Sequence, residues 1–326
     1  MDMNLTETIR QTLLTDYELD LVGFARADAL DGEPEGHRPG DLLPGAKSVI
    51  VFGRSFADGA FQAQFRALED KTMAAQSAYA AYCDELAPNM LLVSDSFRIC
   101  CWLEEAYGAL ALPCPFHVQQ SMVWDNAPGP LFADPYGQGM PLDIDKAALA
   151  AGLGEFGWSN RFLTPEYGPR QMLAAIVTTL ELDCDAPYAG PPLCDPAKCG
   201  VCARVCPTQA IAQPGEGCTA VKAVAGKRQE VACLNPNACA VAALAYRKEF
   251  QGRVPVPDLI TDNAPDDRTL REAWEKKPIA QLSVEHYPRY FCERCAIYCP
   301  VGRWAERFAD TGFTRFDPET CTVGEK

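Results

Sequence analysis

Two stretches of the chain repeat one chemical pattern. Cys199-Gly-Val-Cys202-Ala-Arg-Val-Cys206-Pro207 and Cys292-Glu-Arg-Cys295-Ala-Ile-Tyr-Cys299-Pro300 both read C-x2-C-x3-C-P. A C-x2-C turn lets two thiolates reach one metal centre, and the loop amides can bond to inorganic sulfide. The three-residue step swings the last thiolate away, and proline keeps the chain from coiling back. The chemistry this suits is one-electron transfer through iron–sulfur clusters.

In two-cluster ferredoxins the last cysteine of such a run ligates the other cluster, which allows a ligand count. One [4Fe–4S] cluster takes Cys194, Cys199 and Cys202, with Cys299 arriving from the second run. The other takes Cys292 and Cys295, with Cys206 arriving from the first, and needs one more thiolate. Between the runs stand Cys218, Cys233 and Cys239. Cys239 is favoured because it opens an apolar helical stretch after the turn Asn235-Pro236-Asn237, with Cys233 next.

Other uses of these thiols compete. Two C-x2-C pairs suit structural zinc, but zinc requires neither the Cys-Pro ending nor eight thiolates. Cys194-x4-Cys199-x2-Cys202 also fits a plant-type two-iron centre, which leaves the second run unexplained. Cys83, Cys100, Cys101, Cys114 and Cys184 read as packing thiols, and Cys321 as a bystander near the tail.

Composition narrows the classes. The chain has 326 residues, a length that suits about two domains. Sixteen cysteines without a secretion signal favour metal or redox chemistry over disulfides, and a cytoplasmic location is expected. The net charge of −15 disfavours a nucleic-acid partner, because counterion release needs clustered lysine and arginine. No apolar run is long enough for a membrane span. No G-x-S-x-G, H-E-x-x-H or Walker pattern points to hydrolase or nucleotide chemistry.

The elements that must position the cysteines divide near residue 183. Residues 1–182 read as an α/β (α+β) domain for binding a cofactor and substrate, and 183–326 as a ferredoxin-like domain. Leu5–Leu14 is helical with Thr6 as N-cap, while Leu21–Ala27, Ser48–Phe52 and Met172–Thr179 are buried strands. Further helices are expected over Phe61–Leu86, Leu91–Tyr107 and Ile144–Ala151. Residues 113–141 form a Pro- and Gly-rich loop whose aromatics Phe116, Trp124, Phe132 and Tyr136 would cover something.

Gly152-x-Gly154-x-x-Gly157 matches a dinucleotide fingerprint as a string, but a helix precedes it and extended chain follows, the wrong order for that site. A tight turn approaching a flat ligand, or a packed turn, fits better. Glu35-x-His37-x-x-Gly40 differs by one residue type from a cobalt-binding D-x-H-x-x-G string and lacks its downstream glycines, and His117 and His286 have no ligand spacing.

Taken together, Ala151-Gly-Leu-Gly-Glu-Phe-Gly157 and Leu163-Thr-Pro-Glu-Tyr-Gly-Pro-Arg170 closely resemble a segment of the corrinoid iron–sulfur reductases. That superfamily includes reductive dehalogenases and epoxyqueuosine reductases. Leu21–Asp28, Leu43–Ile50 and the two Cys-Pro runs resemble its opening and its double-cluster domain, so the likeness spans Leu21 to Gly302.

The resemblance implies a cobalamin with no protein ligand on cobalt, reduced through the two clusters, and a small-molecule substrate. Carried onto this chain, Gly152, Gly154, Glu155, Gly157, Trp158, Ser159 and Asn160 would touch the corrin. Polar groups of the 113–141 loop would face the substrate, with Asp125 and Tyr136 as the catalytic candidates. Trp158-Ser159-Asn160 departs from the family's usual basic residue and polar pair, and Asp125-Asn-Ala-Pro128 lies farther upstream than the family's acid. Electrons would come from a separate donor such as a ferredoxin or flavodoxin. The rival expectation is a corrinoid-free electron-transfer or activator protein.

Overall fold

The computed structural model describes residues 4–61, 63–64, 90–114, 141–243, 261, 263–269, 272, 292–303, 316–317 and 322–323. Most of the helix expected over Phe61–Leu86, nearly all of the 113–141 loop, and Cys83, His117, His286 and Cys321 lie outside them.

The first half is organised by three apolar segments that form strands: β1 (Leu21–Arg26), β2 (Ser48–Ser55) and, after a shorter β3 (Ala111–Cys114), the long strand Gln171–Thr178. Two short strands precede the last, β4 (Glu155–Phe156) and β5 (Phe162–Leu163), so Gln171–Thr178 is β6. The sheet order is β1-β2-β6-β3 and every neighbouring pair is antiparallel. A parallel α/β sheet is therefore not formed; the class is α+β. Pro113 sits in edge strand β3, where its missing N–H leaves no central ladder bond unmade.

Residue alternation gives the sheet two apolar faces. Phe24, Ile50, Phe52, Met172, Ala174 and Ile176 point to one, against Ile9 and Leu13 of α1 (Leu5–Thr15) and Ile99 and Leu103 of α2 (Val93–Tyr107). Ala25, Val49, Val51, Leu173, Ala175 and Val177 point to the other, against α3 (Ile144–Ala150). Coverage on both faces explains why β2 and β6 read as continuous apolar runs. The small side chains of Ala147, Ala148, Ala150 and Ala151 let α3 lie close to the sheet. Gly23 completes that approach, since a Cβ there would sit 2.8 Å from the Ala151 carbonyl oxygen.

Asn4, rather than Thr6, caps α1: its side chain accepts from the Glu7 amide at 2.8 Å. Thr6 instead accepts from the Asp183 amide, also at 2.8 Å. Asp185 exchanges backbone and side-chain bonds with Phe24, which covers the outer edge of β1.

The second half contains the single turn α4 (Val201–Arg204), the hairpin β7 (Thr219–Val224) and β8 (Lys227–Ala232), α5 (Pro236–Ala243) and the turn α6 (Arg294–Ile297). Both cores extend into it. Val201, Ala296, Ile297 and Tyr298 join the first, and Val224 and Val231 join the second. Among the described residues no helix is long and apolar enough to cross a membrane.

Candidate metal centres

The two C-x2-C turns fold alike. Gly200 and Glu293, each in the left-handed region, start α4 and α6, placing Cys202 and Cys295 on the helical turns. Glycine adopts that conformation freely, and Glu293 is held in it by a buried ion pair with Arg161 at 2.7 Å.

Folding brings the candidate cysteines together in two groups. Cys206, Cys239, Cys292 and Cys295 line one cavity, with Arg161, Thr208 and Ile211 among its walls. The other four are electrostatic neighbours: Cys202 feels Cys194, Cys199 and Cys299, and Cys299 feels Cys194 and Cys199. Cys202 also feels Cys295, so the groups adjoin. Each contains a cysteine from the distant run.

Burial pushes the Cys292 and Cys299 thiols up to about 12 and raises those of Cys194, Cys202, Cys239 and Cys295. Buried thiolates need a counter-charge, which iron provides, and loading it must expel protons. Sulfur-directed N–H groups are already in place. The Trp158 amide donates to Cys194 Sγ at 3.3 Å and the Ala210 amide to Cys206 Sγ at 3.2 Å. The Arg294 and Val301 amides bond to Cys292 and Cys299. Four thiols around a cavity, with amides on their sulfurs, is a donor set that fits a four-iron cluster. Among the described residues no group of three converges as a single metal ion requires; a cluster instead takes each thiolate on a separate iron.

Cys218 and Cys233 form a disulfide that closes the base of the β7–β8 hairpin. This corrects the expectation of reduced thiols throughout: the sulfurs of Cys218 and Cys233 engage each other, whereas Cys239 lines the cavity with Cys206, Cys292 and Cys295. A bridge enclosing 15 residues of separation stabilises by about 3 kcal/mol in the chain-entropy account. Replacing both cysteines with alanine should lower stability by about that amount in oxidising buffer while iron content stays unchanged; loss of iron would return one of them to the ligand set. Cys100 and Cys114 are buried as packing thiols, whereas Cys101 and Cys184 are exposed.

The glycine turn is a brace between the halves. A Cβ on Gly152 would lie 2.1 Å from the Ala186 carbonyl oxygen, and one on Gly154 would lie 1.9 Å from that of Leu163. Trp158, Ser159 and Asn160 are all buried. The Trp158 indole donates to the Ala212 carbonyl at 2.8 Å, and the Asn160 amide to the Ala232 carbonyl at 2.9 Å. Glu155 accepts from the Leu193 amide at 3.1 Å. Gly152 and Glu155 are half-buried, and the contacts named here are to protein. Asp125 and Tyr136 lie outside the described residues.

Leu163–Arg170 docks the second Cys-Pro run. A Cβ on Gly168 would lie 2.1 Å from the Val301 carbonyl oxygen, and Gly302 approaches the Glu166 carbonyl and the Gly168 amide as closely as 2.6 and 2.7 Å on the same measure. The buried Arg170 guanidinium donates to the carbonyls of Cys299 and, at 2.9 Å, Val301. Burial pulls its pKa down to about 10, opposed by Cys299, so it remains a cation near neutral pH. Sequence reading missed Arg161 and Arg170 as site residues; neither has a local pattern, since their partners lie more than 120 positions away.

No protein-family model matches the chain. An epoxyqueuosine reductase from Gloeobacter violaceus is 30% identical over 197 residues, covering 59% of this chain and 57% of that protein. A tetrachloroethene reductive dehalogenase from Dehalobacter restrictus is 31% identical over 121 residues, 36% of this chain and 19% of that one. The chain thus spans little more than half of the first relative and about a fifth of the second. The structure of epoxyqueuosine reductase from Streptococcus thermophilus overlaps 65% of this chain and 55% of its own, with 17% identity and a TM-score of 0.41. A catabolic reductive dehalogenase overlaps 69% of this chain and 27% of its own, with 21% identity and a TM-score of 0.45. The homologues of this chain are epoxyqueuosine reductases and reductive dehalogenases, the superfamily that its glycine turn and Cys-Pro runs resemble.

Proposed function

We propose that the protein is an oxidoreductase that carries two [4Fe–4S] clusters and delivers single electrons to a small-molecule substrate, drawing them from an external donor such as a ferredoxin or flavodoxin. Cys194, Cys199, Cys202 and Cys299 hold one cluster; Cys206, Cys239, Cys292 and Cys295 hold the other. The observation carrying this reading is the gathering of the second four around one cavity although Cys206 and Cys295 are far apart in sequence. Kinship with reductases supports the direction of the chemistry.

The clusters supply one-electron acceptance and donation. The chain's own contribution is to bury the thiols, direct amides at their sulfurs and hold the two groups side by side by pinning the second run through Arg170. Cobalamin is proposed from kinship alone. The contacts of the turn at 152–160 are to protein, and no step is derived through the corrinoid. That packing favours a second reading, a corrinoid-free electron-transfer or activator protein of the same cluster content.

Anaerobic iron and acid-labile sulfide analysis should give about eight of each per chain, as two four-iron clusters require. A content near four with zinc present would overturn the double-cluster reading. Optical titration with cobalamin then separates the two functions: saturable binding supports the reductase, and no binding with both clusters intact supports the electron-transfer protein.

A further inference from the structure

One of the cysteine groups has a charged side chain hydrogen-bonded to a candidate ligand sulfur. Arg161 follows the glycine turn, and its Nε donates to Cys295 Sγ at 3.3 Å while Nη2 donates to Glu293 Oε1 at 2.7 Å. Both side chains are nearly buried, at 10% and 13% exposure. The other sulfur bonds described above come from neutral backbone amides. At Cys299 the nearby cation, Arg170, directs its hydrogen bonds to carbonyl oxygens. Arg161 is also a shared wall. It lines the cavity of Cys206, Cys239, Cys292 and Cys295 and a second cavity bounded by Asp145, Phe162, Gln171 and Met172.

We infer that Arg161 and Glu293 form an opposed pair that sets the reduction potential of the cluster held by Cys206, Cys239, Cys292 and Cys295, with Arg161 raising it and Glu293 restraining the rise. This rests on the cluster assignment proposed above. Reduction adds one negative charge to the cluster, and a buried cation hydrogen-bonded to a ligating sulfur stabilises the reduced form. A carboxylate beside that cation offsets part of its field. Arg161 is thus a positioning residue acting through Cys295.

The test is an electron paramagnetic resonance redox titration of the anaerobic full-length holoprotein, with iron and sulfide measured on every sample. Arg161→Gln should lower the midpoint of this cluster, moving its reduced-to-oxidised ratio at fixed potential about tenfold, or about 59 mV for one electron. Glu293→Gln should move the same midpoint the opposite way, and the Cys199 cluster should shift little in either variant. Midpoints that stay put, or move in the same direction in both variants, with iron and sulfide intact, overturn the inference and leave the cluster assignment standing. Wild-type protein lacking the second cluster overturns both. If Arg161→Gln loses its iron, the sign of the Glu293→Gln shift decides: a rise upholds the pair, and no change or a fall overturns it.

Discussion

Replacing Cys239 with serine should remove about half of the iron and sulfide from the anaerobic protein, and replacing Cys206 should remove the same half, since each four-iron cluster accounts for about four of the eight irons. The reason is tertiary. Cys206 lies seven positions from Cys199, yet its sulfur lines the cavity of Cys239, Cys292 and Cys295. The Ala210 amide at 3.2 Å helps hold it there. Spectra that resolve the clusters should therefore show the Cys199 cluster surviving in both variants. Loss of the Cys199 cluster from Cys206→Ser, with the Cys292 cluster intact, would refute the crossed ligation. An unchanged iron content in Cys239→Ser would remove that residue from the ligand set. Serine is the stringent choice because it keeps size and polarity while offering iron a poorer ligand.

Arg170→Met should destabilise the protein by roughly 4 kcal/mol, because hydrogen bonds from a charged donor are each worth about 1.5–3 kcal/mol and two carbonyls lose their partner inside the fold. Those carbonyls belong to Cys299 and Val301, so the damage should concentrate on the segment that delivers Cys299. Methionine can occupy much of the stem's space beside Phe61, whose ring lies 5.8 Å from the guanidinium carbon, which isolates the polar loss from packing. Arg170→Lys should recover only part of the stability, since one ammonium cannot fork to carbonyls as a guanidinium does. Urea unfolding followed by circular dichroism measures both. A change below about 1 kcal/mol for Arg170→Met would show that the junction does not depend on this side chain.

Much of the scaffold follows from the sequence because its causes are local. β1, β2 and β6 lie within a residue or a few of the apolar runs that mark them, because the sheet is covered by apolar packing on both faces. The stretch Leu91–Tyr107 contains α2, and Asp143 caps α3 by accepting from the Lys146 amide at 3.0 Å. The repeated C-x2-C turn is likewise local, and α4 and α6 share one shape.

Sheet order and direction are not local. The sequence alternates helix and strand as a parallel α/β protein does, but β1 pairs antiparallel with β2, and β6 enters between β2 and β3 antiparallel to both. The sequence favours Cys239 from its place at the start of an apolar helical stretch, but the meeting of Cys218 with Cys233 across the foot of a hairpin is a matter of pairing between strands. The glycine string has the same lesson. Its glycines mark close approach, but only the packed molecule shows that the approaching atoms are the carbonyls of Leu163 and Ala186. Arg161 and Arg170 acquire their roles from partners over a hundred residues away. Residue types and short spacings determined which groups could hold iron and which segments could form a sheet. Long-range packing decided which sulfurs meet and which charges face them, because the energy of those choices lies in contacts that exist only after the chain has closed on itself.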